Sequence, residues 1–98
     1  MENKEFNSLK EVVKKLRDPK EGCPWDLKQT HLTLLPYLIE ESFEFINAAE
    51  SKNDTHMKEE LGDILLQVLL HATISEQEGS FKFEDICKTL KEKLIKRH

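Results

Sequence analysis

Two carboxylate pairs placed symmetrically about a polar turn constrain this chain more than any other feature. Glu41/Glu44 and Glu60/Asp63 are each spaced i,i+3, so each pair shares one face if its segment is helical. Between them Ser51-Lys52-Asn53-Asp54-Thr55 is a cluster of turn-forming residues. Antiparallel helices folded about Lys52 set Glu44 level with Glu60 and Glu41 level with Asp63. Four carboxylates then converge. Unpaired buried carboxylates repel one another and are costly to desolvate, so the cluster requires cations. The expectation is a divalent-metal site made by Glu41, Glu44, Glu60 and Asp63, with the rest of the chain as its support.

The 98 residues suffice for one domain, spanning 1–98, and not for two. Hydrophobic content of 38% with three Gly and three Pro suits a helix-rich globular chain rather than a disordered one. The net charge of −4 argues against general nucleic-acid binding. No apolar run approaches the ~20 residues of a membrane span, and the first ten residues lack the apolar core of a signal peptide. Cys23 and Cys87 form no CxxC pair. Reduced thiols in a cytoplasmic protein are expected.

Helical spacing predicts a first helix over Phe6 to Arg17, capped by Asn7 or Ser8 and stopped by Asp18-Pro19. Lys20 to Asp26 reads as a loop. Its Trp25 is either an apolar plug over a bundle or a flat wall against a base or sugar. Lys28 is either solvated or within reach of a phosphate. The second helix is expected from about Thr33 to Ala49 or Ser51, with Pro36 near its start or kinking it. Leu35, Leu38, Ile39, Ile46 and Ala49 give it a broad apolar side, and Glu41 and Glu44 fall among apolar neighbours. The third helix is expected from Thr55 to Gln77, capped by Asp54 or Thr55 and stopped by Gly79. Its main apolar face is Met57, Leu61, Ile64, Leu65, Val68, Leu69 and Ala72, and a polar stripe runs through Glu60, Asp63, Gln67 and His71. Gly62 is expected to admit close approach of a neighbouring backbone or ligand. The last helix begins near Phe83 or Glu84, with Phe83, Ile86, Cys87, Leu90 and Leu94 as its apolar face. Cys87 reads as a core thiol, and the i,i+4 pair Lys93/Arg97 is expected to point inward.

All-oxygen ligands favour Mg²⁺ or Mn²⁺ over zinc or copper. A carboxylate-held cation with Lys and Arg nearby suits phosphate chemistry. A di-iron bundle would want Glu-x-x-His on two helices, which Glu41-x-x-Glu44 and Glu60-x-x-Asp63 do not supply. Acid-rich helices can also be merely solvated, but the matched register and apolar flanks argue against that.

Several runs together carry a family resemblance: Leu16-Arg17-Asp18-Pro19, Gly22-Cys23-Pro24-Trp25-Asp26, Gln29-Thr30, Glu40-Glu41-x-x-Glu44, Glu60-Leu61-Gly62-Asp63 and the closing Lys93-Leu94-Ile95-Lys96-Arg97-His98. The chain resembles the MazG nucleoside triphosphate pyrophosphohydrolases from about Leu9 to His98, and among them the N-terminal type of module. The resemblance implies an all-α bundle completed by dimerisation. It implies hydrolysis of canonical or aberrant nucleoside triphosphates to a monophosphate and pyrophosphate by water that a metal activates. Glu41, Glu44, Glu60 and Asp63 would be the catalytic, Mg²⁺-binding carboxylates. Lys93 and Arg97 would contact phosphates, with Trp25 and Lys28 as further nucleotide contacts. Members of the family commonly continue past the terminal basic-basic-His run, and many carry two modules in tandem. This chain stops at His98.

The alternative, from another class, is a catalytically weak module that binds nucleotide and dimerises within a larger tandem protein. For association, the two-sided apolar surface of the third helix and the small size of one helical module point to a homodimer or higher oligomer.

Overall fold

Asn3 starts the first helix. Its side-chain oxygen accepts the Phe6 N–H at 3.0 Å, so α1 spans Lys4–Leu16, one turn earlier than a cap at Asn7 or Ser8 implies. The computed structural model describes residues 3–97, and His98 of the closing motif lies outside them. The described residues form an all-α bundle of α1, α2 (Pro24–Leu27), α3 (His31–Glu50), α4 (Asp54–Gln77) and α5 (Phe83–Arg97). Among the described residues, no helix is long and apolar enough to cross a membrane.

The segment after α1 doubles back onto it. The Gly22 N–H donates to Asp18 O at 2.8 Å and the Cys23 N–H to Leu16 O at 2.9 Å. A Cβ at Gly22 would stand 2.5 Å from the Asp18 carbonyl oxygen and 2.6 Å from that of Leu16, so only glycine fits. Cys23 then caps a helical turn that Pro24 opens, as proline suits a first helical position. Trp25 therefore sits on a short helix, where the sequence reads as loop. Buried Arg17 ties the layers together. Its guanidinium donates to Gln77 Oε1 at 2.9 Å, Asp26 O at 2.6 Å and Gln29 O at 3.0 Å, and Gln77 Nε2 donates back to Arg17 O.

Thr30 and Thr33 form a reciprocal capping box, which starts α3 at His31, two residues before the expected Thr33. Pro36 lies within the second turn. The α3–α4 turn closes at Lys52, which adopts φ 54°. The Asn53 N–H reaches Ala48 O and the Lys52 N–H reaches Ala49 O. This is the pattern of a helix ended by a left-handed residue. Asn53 then caps α4 through the His56 N–H at 3.0 Å, one residue before the expected cap. Gly79, φ 75°, ends α4 in the same way.

The three main packing contacts, to α1, α3 and α5, all involve α4. Val13, Leu34, Leu69, Leu70 and Ile74 form the core, with Phe6, Leu9, Leu65, Leu66 and Phe83 packed against it. These positions cluster at the end of the α3–α4 hairpin away from the Lys52 turn.

Three expectations about faces are corrected by this packing. The inward line of α3 runs through Leu34, Leu38, Glu41 and Ala48, while Leu35, Ile39 and Ile46 face outward. On α4, Leu61 and Val68 are exposed and Leu69, Leu70 and Ile74 take the core. On α5, Cys87 is exposed rather than a core thiol, Leu90 and Leu94 are about half exposed, and Lys93 and Arg97 face solvent rather than inward. For Gly62 the backbone half of the expectation is corrected: a Cβ there would meet nothing within 4 Å, so no neighbouring backbone among the described residues needs the missing side chain.

Candidate metal centre

Helical periodicity positions the acids. Glu41 falls on the inward line of α3 between Leu38 and Ala48, and Glu60 and Asp63 lie one turn apart on α4. The Lys52 turn sets the register that brings the two helices' acids opposite each other. Ligating atoms of Glu41, Glu60 and Asp63 come within 4.8 Å of one another, and those of Glu44, His56 and Glu60 do the same. Glu60 belongs to both groups.

Glu60 is 8% exposed. Its Oε1 lies 3.1 Å from His56 Nε2, and its Oε2 is buried with no hydrogen-bond partner among the described residues. The Glu41 carboxyl is pushed up to about 7, first by burial and then by the charges of Asp63 and Glu60 beside it. Like charges forced together in a partly desolvated site hold a proton unless a cation takes its place. The donor set of carboxylate oxygens and one imidazole, with one buried oxygen left over, fits a divalent cation.

The polar stripe of α4 continues past the acids. Gln67 is buried and its Oε1 has no partner among the described residues. One turn on, His71 meets His31 of α3, and Ser75 Oγ lies 3.3 Å from His31 Nε2. Neither histidine belongs to the carboxylate groups.

Comparison with known proteins bears on this centre. Residues 29–98 match the family described as the MazG nucleotide pyrophosphohydrolase domain. The chain belongs to the MazG family. It is 58% identical over 95% of its length to the nucleoside triphosphate pyrophosphohydrolase/pyrophosphatase MazG of Thermotoga maritima, covering 36% of that protein. It is 40% identical over 96% of its length to the nucleoside triphosphate pyrophosphohydrolase of Escherichia coli, again covering 36%. A third relative, the uncharacterized protein YabN of Bacillus subtilis, is 50% identical over 96% of this chain. The chain spans about a third of the length of the two named pyrophosphohydrolases.

The other positions that the MazG resemblance assigns lie on separate elements. Trp25 is 48% exposed and meets the Tyr37 ring edge-on, with centroids 5.5 Å apart. Lys28 is exposed at the end of α2. Lys93 and Arg97 are exposed on the last turns of α5. The residue that the sequence reading passes over is His56. The signal for it was its position four residues before Glu60, on the same helical face.

Proposed function

We propose that this chain, as one module over residues 1–98, is a cytoplasmic Mg²⁺-dependent hydrolase of nucleoside triphosphates that releases a monophosphate and pyrophosphate. The observation that carries this reading is the convergence of Glu41, Glu60 and Asp63, with Glu44 beside them, in a MazG chain. Glu41, Glu44, Glu60 and Asp63 would hold Mg²⁺, or Mn²⁺ in its place. Such an ion neutralises phosphate charge and makes water acidic enough to serve as a nucleophile near pH 7. The residues of the chain do the rest. The two helices present the acids at fixed register, so little reorganisation is needed when substrate arrives. Lys93 and Arg97, exposed on α5, would supply positive charge for the phosphates. The exposed Trp25 offers a face to the base, its orientation limited by Tyr37, and Lys28 lies close enough in sequence to serve the same nucleotide. Free Cys23 and Cys87 fit a reducing compartment.

The same reading makes the molecule a homodimer. Leu32, Leu35, Ile39, Phe43 and Ile46 form one stripe along the outside of α3 and are 77%, 43%, 59%, 63% and 47% exposed. Their i,i+3 and i,i+4 spacing is that of a helix packing against another helix. A contiguous apolar surface of this kind marks an interface. Product analysis tests the reaction: a nucleoside triphosphate incubated with the chain and Mg²⁺ should give monophosphate and pyrophosphate. Diphosphate and inorganic phosphate would contradict the assigned bond. A folded chain that binds nucleotide without cleaving it would instead support the weak binding module.

A further inference from the structure

Only one of the two donor groups that share Glu60 contains nitrogen. His56 stands one turn before Glu60 on α4, in the first turn that Asn53 caps. Its Nε2 is 3.1 Å from Glu60 Oε1. Two adjacent ligands of a six-coordinate ion, each at about 2.1 Å, stand roughly 3.0 Å apart. The pair is therefore already at chelating separation. Glu44 of α3 reaches the same place, its carboxylate within 4.8 Å of both partners. Glu60 Oε2 is buried and unpartnered among the described residues, so this carboxylate has one oxygen beside His56 and a second to offer another ion.

We propose that Glu44, His56 and Glu60 form a second divalent-cation position beside the all-oxygen Glu41/Glu60/Asp63 position, with His56 Nε2 as a ligand and Glu60 shared. The proposal rests on the metal-centre reading above and adds a difference between its two halves. Mg²⁺ takes oxygen ligands and dehydrates reluctantly, whereas imidazole suits Mn²⁺ and the later first-row ions better. The oxygen-only position therefore accepts Mg²⁺, and the His56 position selects Mn²⁺ or Co²⁺. An intrahelical hydrogen bond between His56 and Glu60 with no role in metal binding makes the opposite prediction, that no nitrogen is found on a bound ion.

Pulsed electron paramagnetic resonance of Mn²⁺ bound to the full chain separates the two, because a directly bound imidazole gives a ¹⁴N coupling. The wild type should show that coupling. His56→Asn and His56→Gln should lose it, with Mn²⁺ bound per chain falling from two to one while circular dichroism stays helical. Glu41→Gln should keep it. A large excess of Mg²⁺ should displace the uncoupled Mn²⁺ and leave the coupled ion. Bound Mn²⁺ without ¹⁴N coupling, or coupling that survives both His56 variants, overturns the proposal and leaves the oxygen-only centre standing. A folded wild type that binds no Mn²⁺ overturns both.

Discussion

His31 and His71 bring their Nδ1 atoms to 2.7 Å, with rings parallel to within 3°. One imidazole must donate and the other accept, so the pair cannot carry a proton on all four nitrogens without losing that bond. His71 is held below its ordinary 6.5, first by burial and then by the neighbouring His31. Its folded value lies below its unfolded one, so the unfolded chain binds more protons in mild acid. The stabilisation is complete above about pH 6.5 and is lost as pH falls toward the folded value. Thermal melts should show a lower midpoint at pH 5 than at pH 7, and His71→Gln should flatten that fall. An identical pH dependence in the variant contradicts the assignment.

Glu41 moves in the opposite sense. With its carboxyl raised to about 7, it holds a proton through much of the acidic range, and a cation must displace that proton to bind. Metal affinity should weaken about tenfold per pH unit below pH 7. Calorimetric titration with Mg²⁺, the ion of the all-oxygen position that contains Glu41, at pH 6 and pH 8 measures this, and equal affinities at the two values contradict it. Glu41→Gln should remove most of the pH dependence along with much of the affinity.

Gly22 is required by contact, since an added Cβ would meet two backbone carbonyls closer than 3 Å. Gly22→Ala should cost about 1–3 kcal/mol, the range for forced overpacking. It should loosen the Arg17 clamp that the loop presents to Asp26 O and Gln29 O. Denaturant midpoints measure the loss, and a variant as stable as wild type contradicts the tight turn.

Phe43 sits near the middle of the exposed α3 stripe and is 63% exposed. Its replacement by Lys leaves the core of one chain untouched and sets charge in the proposed dimer seam. Light scattering should find a dimer for wild type and a monomer for Phe43→Lys, each with full helical circular dichroism. A monomeric wild type at micromolar concentration contradicts the homodimer.

The hairpin and its acids were legible because three local signals agreed: inward spacing of Glu41, matching spacing of Glu60 and Asp63, and a polar turn centred on Lys52. The helix starts moved by one or two residues because Asn3, Thr30 and Asn53 supply side-chain caps that compete with neighbouring candidates. α5 shows what periodicity leaves open. An amphipathic pattern marks a face that needs cover, but not whether the same chain provides it, so Cys87, Leu90 and Leu94 read as core and lie exposed. Arg17 and Gln77 are 60 residues apart, and nothing local in either stretch signals their contact. His56 was hidden for a simpler reason: four carboxylates already satisfy an oxygen-preferring cation, so nothing in their spacing calls for the nitrogen one turn away on the same face.

The central claim is tested most directly by measuring pyrophosphate release from a panel of nucleoside triphosphates, with Mg²⁺ and with EDTA, for the chain and for Glu41→Gln. Release that depends on Mg²⁺, stops with EDTA and falls at least a hundredfold in the variant is the predicted result. Release that persists in EDTA, or in folded Glu41→Gln at the wild-type rate, would contradict a reaction centred on these carboxylates.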